Sequence, residues 1–334
     1  MEEIEQVFVR TIRSKRLYRD LVLVVLIVIL VMIIYMLVMH VNIKVLLSVN
    51  PILLFLATVF YGLSNIVDAL RLKILFRNVG YNMSILDALR ARIMGNIVAL
   101  ATPSSIGGEP VRALILASYG IRLSRAIAVT LFEDYWDIII INIPALVFAA
   151  MKLPLTILVL LSSLYNIIAW NILFLAVRRE GVRKIVLKLH DRSFGVVKKF
   201  LGLVIIMVNS VRHVSTTLSL KSAAKVVLVT LAKYTIVYSS FLLAACSIGN
   251  VSPQQIFEAL VFYNAMGPIP TPGAAGGAEY GLSMVLSPEQ VIIVRIVAFF
   301  VTIILGLPIL VMYIRELHER STTDIDVSAS LTTP

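Results

Sequence analysis

Long apolar runs dominate the pattern of this chain, and short basic segments separate them. A helix needs ~20 apolar residues to cross the hydrocarbon of a bilayer, and lipid offers its backbone no other hydrogen-bond partners. Runs close to that length are therefore predicted to be membrane-spanning helices. They cover residues 21–39, 51–70, 126–150, 155–177, 223–248 and 289–314. The pattern predicts an all-α polytopic membrane protein with about six full spans.

Two further apolar segments, 85–118 and 254–286, do not fit as ordinary spans. A Gly-Gly turn interrupts each of them, "TPSSIGGEP" at 102–110 and "TPGAAGGAE" at 271–279. The arms beside these turns are short; an arm of about ten residues makes only ~15 Å of helix. Both segments are therefore predicted to be re-entrant hairpins that turn back inside the membrane.

The basic residues give the orientation, because Lys and Arg concentrate in cytoplasmic loops. They crowd the N-terminal segment and the "RELHER" stretch after the last run, which predicts a cytoplasmic N- and C-terminus. They also flank 85–118 at both ends, whereas residues 249–288 contain no Lys or Arg. The first hairpin is thus expected to enter from the cytoplasm and the second from outside. The net charge of +11 reflects this topology rather than binding to nucleic acid.

The order span, hairpin, span occurs twice, and in opposite orientations. Residues 51–150 and 223–314 are predicted to form an inverted repeat, with a cytoplasmic basic and amphipathic linker at 178–221. One transmembrane domain is predicted over 1–320, followed by a disordered polar tail at 321–334. Inverted repeats are common in transporters, whose sites lie near the midplane where broken helices meet.

The two hairpin tips have the composition of an anion site. Glycine pairs let the backbone approach a ligand, and the helix that follows directs unpaired N–H groups toward it. Alternatively, the small residues only allow close helix packing, and the carboxylates that follow the turns cap the next helix. The candidate lipid-binding residues at the tips are Pro103, Gly107, Gly108, Glu109 and Arg112, and Pro272, Gly273, Gly276, Gly277 and Glu279.

Acidic residues lie at membrane depth in the run 126–150. Glu133 and Asp137 are four residues apart and share one helix face, with Asp134 beside them. Each charge at the centre of a membrane helix costs ~2.5–3.5 kcal/mol on insertion scales, so these acids need cations, protons or water. The candidate cations are Arg112, Lys233 and Arg295. Glu133 and Asp137 either form a structural ion pair or belong to a headgroup or proton site.

The sequence lacks the common catalytic motifs of soluble enzymes. It has no P-loop, no nucleophile elbow and no zinc-ligand spacing, and its one cysteine, Cys246, lies in an apolar run. We therefore expect no cofactor, no metal and no enzymatic activity.

The segments "NIVALATPSSIGGEPVRALIL", "EDYWD" and "PIPTPGAAGGAEYGL" resemble the transmembrane domain of lysylphosphatidylglycerol synthases and their flippase-like relatives. The resemblance covers nearly the whole chain. It includes the two Gly-Gly elements and the acids Glu133 and Asp137. It departs at Asp134, where the family usually has arginine, so an ion pair made by that arginine would be missing here.

The resemblance implies lipid translocation in the cell membrane without aminoacylation, because the soluble synthase domain is missing from this sequence. The implied substrate is an anionic phospholipid or a polyprenyl-phosphate-linked lipid, and a glycosyltransferase or lipid synthase is an implied partner. Two other functions stay open. One is a membrane enzyme that acts on lipid phosphates, with carboxylates as its acids, bases or metal ligands. The other is a non-transporting subunit of a lipid-glycosylation system.

Overall fold

The computed structural model describes residues 26, 29–30, 32–100, 102, 108–194, 202, 205, 208–214, 216, 219–267, 269 and 274–331, with side chains except at 178 and 314–331. The regular secondary structure of these residues is helical. The helices are α1 (Ile43–Leu47), α2 (Pro51–Asn78), α3 (Ile85–Leu100), α4 (Gly108–Ser118), α5 (Leu123–Met151), α6 (Ile157–Arg178), α7 (Glu180–Arg192), α8 (Leu220–Cys246), α9 (Pro253–Ala265), α10 (Gly277–Ser283) and α11 (Pro288–Leu331).

Five of these helices are long and apolar enough to cross a membrane: α2, α5, α6 to Val177, α8, and α11 to Tyr313. Large apolar side chains such as Phe55, Leu161 and Ile172 are exposed on their outer faces, where lipid would cover them. A polytopic helical membrane protein is thus confirmed. Of the sixth predicted span, 21–39, the structure describes residues 26, 29, 30 and 32–39, and those from 32 to 38 form a helical stretch.

Local chemistry explains where the long helices begin. The Asn50 side chain accepts from the backbone N–H groups of Ile52 and Leu53, and Pro51 occupies the first helical position of α2. Ser219 caps α8 in the same way through the N–H of Ser222. These polar caps satisfy donors that would otherwise be left without partners at the helix ends.

The short helices form two pairs, α3 with α4 and α9 with α10, and in each pair the helices pack against each other. A Cβ placed on Gly108 would lie 2.7 Å from the carbonyl oxygen of Gly95, and one on Gly281 would lie 2.6 Å from that of Phe262. Glycine is thus required at both crossings. The structure therefore shows close helix packing at Gly108, which the sequence analysis gave as the alternative to an anion site.

The long helices connect the two pairs in a reciprocal pattern. α2 packs along α8, α3 of the first pair packs on α11, and α9 of the second pair packs on α5. The contact between α3 and α11 is close, since a Cβ on Gly306 would lie 2.8 Å from side-chain atoms of Ile97. One apolar core gathers around α2 to α5, and another lies between α2 and α8 to α11.

The linker contains the amphipathic helix α7. Glu180 at its start accepts from Arg183 at 2.6 Å and also pairs with Arg212 in the helical stretch 208–214. The hydrogen bond from Arg212, followed by that from Arg183, lowers the pKa of the Glu180 carboxyl.

The C-terminal segment differs from the sequence-based expectation. The helix α11 continues to Leu331, so the backbone of 321–331 is helical where the polar composition predicts disorder. Extending an existing helix is easier than nucleating a new one. No glycine or proline interrupts the chain between Pro308 and Pro334.

Candidate functional site

Buried charges from five helices meet in one network, which we call the charge network. α2, α3, α4, α5 and α8 contribute to it, and it joins five carboxylates to four cations by ion pairs. Its members are Asp68, Arg71, Arg92, Glu109, Arg112, Glu133, Asp134, Asp137 and Lys233.

Glu133 lies at the centre of the charge network with a fully buried side chain. Its carboxylate accepts from Arg71 Nε at 3.0 Å, from Arg92 Nη1 at 3.3 Å and from Arg112 Nη1. Three guanidinium groups on three helices thus share one carboxylate. Removing its charge would leave buried cations with too few partners, so Glu133 holds the helices together whatever else it does.

Arg71 is the most highly connected cation. Its Nη1 and Nη2 donate to the two oxygens of Asp137 at 2.6 and 2.8 Å, a bidentate pair. It also pairs with Asp68 at 2.8 Å and donates to Thr230 Oγ1 at 3.1 Å. Its side chain is fully buried. Arg71 therefore joins α2, α5 and α8.

Lys233 and Arg92 form the edge of the charge network. Lys233 Nζ lies 3.0 Å from Asp137 and 3.3 Å from Asp68, and Arg92 pairs with Asp68 as well. The Nε of Arg92 is buried and has no hydrogen-bond acceptor among the described residues. An ammonium shared between two acids that have other partners can be removed from them more easily than Arg71 can.

A second, smaller charged cluster lies in the other half of the chain. Glu279 Oε1 accepts from Arg295 Nε at 2.7 Å, and Arg295 Nη1 donates to the Tyr263 hydroxyl at 3.2 Å. Glu279 Oε2 also accepts from the Gly276 backbone N–H at 2.6 Å. The predicted capping role of Glu279 is confirmed. Gly276 has φ +86°, a conformation that favours glycine.

A cavity of about 310 Å³ connects the charge network to the second cluster. Asp68, Arg92 and Lys233 line it from one side and Tyr263 and Arg295 from the other. Its volume is at the lower end of ligand pockets, ~300–1,000 Å³.

Residues that flank both Gly-Gly elements also line this cavity. Ala99 and Leu100 precede the first turn, and Gly267 and Ala274 flank the second. Both Gly-Gly elements therefore adjoin the same cavity.

The structure separates the predicted site residues into groups. Glu109, Arg112, Glu133 and Asp137 lie in the charge network, and Glu279 lies in the second cluster. Gly108, Gly276 and Gly277 lie at helix starts. Pro103, Gly107, Pro272 and Gly273 lie outside the described residues. A role in lipid binding stays a prediction for all of them.

The predicted cations have different partners. Arg112 pairs with Glu133 and Lys233 with Asp137, so each acid has a cationic partner, as a structural ion pair requires. Arg295 instead pairs with Glu279. Arg71 and Lys233 supply cations to Asp137 from other helices.

Sequence reasoning missed three members of the charge network: Asp68, Arg71 and Arg92. Basic residues that flank apolar runs are predicted to lie on the cytoplasmic side, whereas Arg71 and Arg92 are buried. The spacing of Asp68 and Arg71, opposite charges three residues apart in an apolar helix, could have indicated an internal pair. No feature of the sequence indicated that Arg92 belongs to a buried network of ion pairs.

No group of three or more His, Cys, Asp or Glu side chains among the described residues is arranged to hold a metal ion.

Comparison with known protein families identifies the family of this chain. The profile described as the lysylphosphatidylglycerol synthase TM region matches residues 20–309, which is most of the chain. The chain belongs to this family. The match contains every helix from α1 to α10, the charge network and both Gly-Gly elements.

Among the curated relatives of this lysylphosphatidylglycerol synthase TM-region chain is a UPF0104 membrane protein from Archaeoglobus fulgidus. It is 36% identical over 69 residues, which is 21% of this chain and 21% of the relative. The chain thus matches about a fifth of that relative's length. No solved structure matches the chain.

Proposed function

We propose that this chain moves a lipid between the leaflets of a membrane, with the headgroup passing through the cavity between its two halves. The observation that carries the proposal is that one polar cavity adjoins both Gly-Gly turns. In a helix bundle that faces lipid, such a cavity offers water and charge to a headgroup that hydrocarbon would exclude.

The reciprocal packing supports an inverted repeat as the basis of this movement. In this proposal α2 to α5 and α8 to α11 are the two repeat units, and the short helix pairs are re-entrant hairpins. Their lengths agree with this, since α4 has 11 residues and α10 has 7, too few to cross a bilayer. The pairing of each short pair with the other unit's last helix is what a pseudo-two-fold axis would produce.

Reconstituted vesicles test the transport. Fluorescent phosphatidylglycerol in both leaflets is treated with membrane-impermeant dithionite, which quenches only the outer leaflet. Vesicles with the protein should lose the protected inner-leaflet fraction, and protein-free vesicles should retain it. Retention of that fraction with folded protein would refute lipid movement. Conversion of the lipid into a product would favour an enzyme, and inactivity in both assays a non-transporting subunit.

A blocking substitution tests the route. Asn264 lines the cavity, and its side-chain amide donates to its own helix at Leu260, so Asn264→Trp should fill the cavity and break no tertiary hydrogen bond. Gln254→Trp is the matched control, since Gln254 is an exposed amide of the same helix. We expect the first variant to slow lipid movement and the second to leave it unchanged. Equal rates for both would exclude the cavity as the route.

Thiol labelling tests the orientation. Single cysteines at Ser104 and Ala274 are placed in a Cys246→Ala background and treated with an impermeant reagent. Ala274→Cys should react from outside and Ser104→Cys only from the cytoplasmic face. Reaction of both from the same face would refute the inverted repeat.

A further inference from the structure

The charges of the charge network do not balance. Its five carboxylates and four cations leave one formal negative charge when every acid is ionised. A charge without a partner is costly in buried surroundings, so a carboxylate there takes up a proton unless a cation balances it. One positive charge is therefore missing from the described part of the charge network.

The charge network also lacks hydrogen-bond donors. Glu109 Oε2 is buried and accepts no hydrogen bond among the described residues. The same holds for Asp68 Oδ1, whose contact with Arg71 is an ion pair without hydrogen-bond geometry. A bound proton would correct both deficits, because it adds a positive charge and turns one carboxylate oxygen into an O–H donor. A metal ion would need several acidic side chains around one point, and the described residues contain no such group.

Asp134 has the weakest contact with a cation. Its Oδ1 lies 3.7 Å from Arg112 Nη2, which is beyond hydrogen-bond distance, whereas every other ion pair of the charge network is 3.3 Å or shorter. The same Nη2 pairs with Glu109 Oε1, and Nη1 of Arg112 pairs with Glu133. One guanidinium group thus serves three carboxylates. Glu109 and Asp134 meet at one nitrogen, and Asp134 is the acid that its charge stabilises least.

The helices that pack against α5 bring no further cation into an ion pair with Asp134 in the described part of the chain. The membrane-spanning part of α6 carries no charged side chain, and Glu258, the charged residue of α9, pairs with Lys152. On α5 itself, the charged neighbours Glu133 and Asp137 are also acids. The charged groups from α2, α3 and α8 pair with one another or with these two acids; they are Asp68, Arg71, Arg92 and Lys233.

We propose that Glu109 and Asp134 hold one proton between them and exchange it as the lipid crosses the membrane. Neighbouring carboxylates that compete for one cation share a proton, because both cannot easily be ionised together. The proton exchanges through Glu109, which is the most exposed carboxylate of the charge network, at 31%, and directly follows the first Gly-Gly element. The exchange rests on the proposed function, whereas the bound proton does not.

Infrared spectroscopy of the purified full chain at neutral pH tests the bound proton. A protonated carboxyl group has a carbonyl stretching band that a carboxylate lacks, and this band shifts in heavy water. We expect the band in the unmodified chain and its loss in Asp134→Asn and in Glu109→Gln, because four carboxylates then face four cations. Asp191→Asn is the control, since Asp191 is an exposed acid of α7, and it should leave the band unchanged. Absence of the band from the unmodified chain would refute the proposal, as would its persistence in either variant.

Unfolding in SDS micelles separates a proton site from a structural ion pair. If Arg112 needs Asp134 as an anion, Asp134→Asn removes a partner of a buried cation and should lower the SDS content at which the chain unfolds. If Asp134 carries the proton, the amide replaces a neutral acid of nearly the same shape. We therefore expect Asp134→Asn to unfold at the same SDS content as the unmodified chain. Unfolding of Asp134→Asn at a lower SDS content than Asp191→Asn would contradict the proposal.

The pH dependence of lipid movement tests the exchange. Vesicles with the same pH on both sides contain fluorescent phosphatidylglycerol, and extraction into albumin follows its arrival in the outer leaflet. The rate should change by up to about tenfold per pH unit for the unmodified chain, as for a single titrating group, and should not change for Asp134→Asn. A rate independent of pH in the unmodified chain, or equally dependent in the variant, would exclude the exchange. The infrared band without lipid movement at any pH would retain the bound proton and refute transport.

Discussion

Replacing Arg71 by methionine removes the cation that joins α2, α5 and α8. The change deletes the bidentate pair with Asp137, the pairs with Asp68 and Glu133, and the hydrogen bond to Thr230. Five carboxylates would then face three cations in a buried site. Removing one partner of a buried ion pair typically costs ~3–5 kcal/mol, and we expect Arg71→Met to lower the free energy of unfolding by about that amount.

A second substitution should reverse part of this loss. In Arg71→Met with Asp137→Asn, Asp68 still pairs with Arg92 and Lys233, and Glu133 still pairs with two guanidinium groups. Each carboxylate that paired with Arg71 and is still present in the double variant thus keeps a cationic partner. The double variant should be more stable than Arg71→Met alone by ~1–3 kcal/mol, a usual coupling energy for residues in contact.

The measurement is reversible unfolding in mixed micelles of increasing SDS content, followed by tryptophan fluorescence. Both tryptophans report on this region, since Trp136 packs on Phe132 and Trp170 on Phe174, with ring centroids 6.2 Å apart in each pair. Arg77→Met is the control, because Arg77 is exposed near the end of the same helix. If the double variant were no more stable than Arg71→Met, the ion pair with Asp137 would not contribute as the structure indicates.

Three further outcomes are expected. Gly108→Ala should lower the free energy of unfolding by ~1–3 kcal/mol, because the added Cβ would overlap the facing backbone. Gly181→Ala is the control in the micelle unfolding assay, since Gly181 is a helical glycine with open space around it, and it should not lower the stability. Gly276→Ala should lower the free energy of unfolding by ~1–2 kcal/mol through its φ of +86° alone, because nothing lies within 4 Å of the added Cβ. D-alanine, which favours a positive φ and can be introduced by ligation, should restore the stability and show that the backbone conformation is the cause. The Glu180 carboxyl has a lowered pKa, so its contribution to stability is present above the usual value of 4.5 and is lost as the pH falls through the lower value in the folded state. The protection factors of the α7 amides, which are exchange rates corrected for the intrinsic pH dependence, should therefore stay constant from neutral pH to about 5 and fall only in stronger acid.

The structure also shows which substitutions can test a role in transport. Glu133 accepts from three arginines, so Glu133→Gln would disturb folding and could not isolate a role in transport. Variants of the cavity wall, such as Lys233→Gln, leave each neighbouring acid with a cation and are therefore better tests of function.

The sequence by itself determined the membrane class, the long helices and the position of the short ones. These features depend on local composition, because the bilayer forces any long apolar run into a helix whose hydrogen bonds are internal. The helix α2 begins at Pro51 as the sequence predicted, and α5 covers the predicted run 126–150. Composition alone predicted disorder for the polar tail beyond residue 320, whereas the backbone of 321–331 continues the helix α11.

Only the tertiary structure decided the partners of the buried charges. A lysine or arginine at the end of an apolar run has the same local sequence whether it faces the cytoplasm or an acid on another helix. Arg71 is such a case, because its partners Glu133 and Asp137 are more than sixty residues away in the chain. The cavity wall has the same origin: Lys233 and Arg295 face one space because α8 and α11 pack around it, and no local pattern encodes that distance.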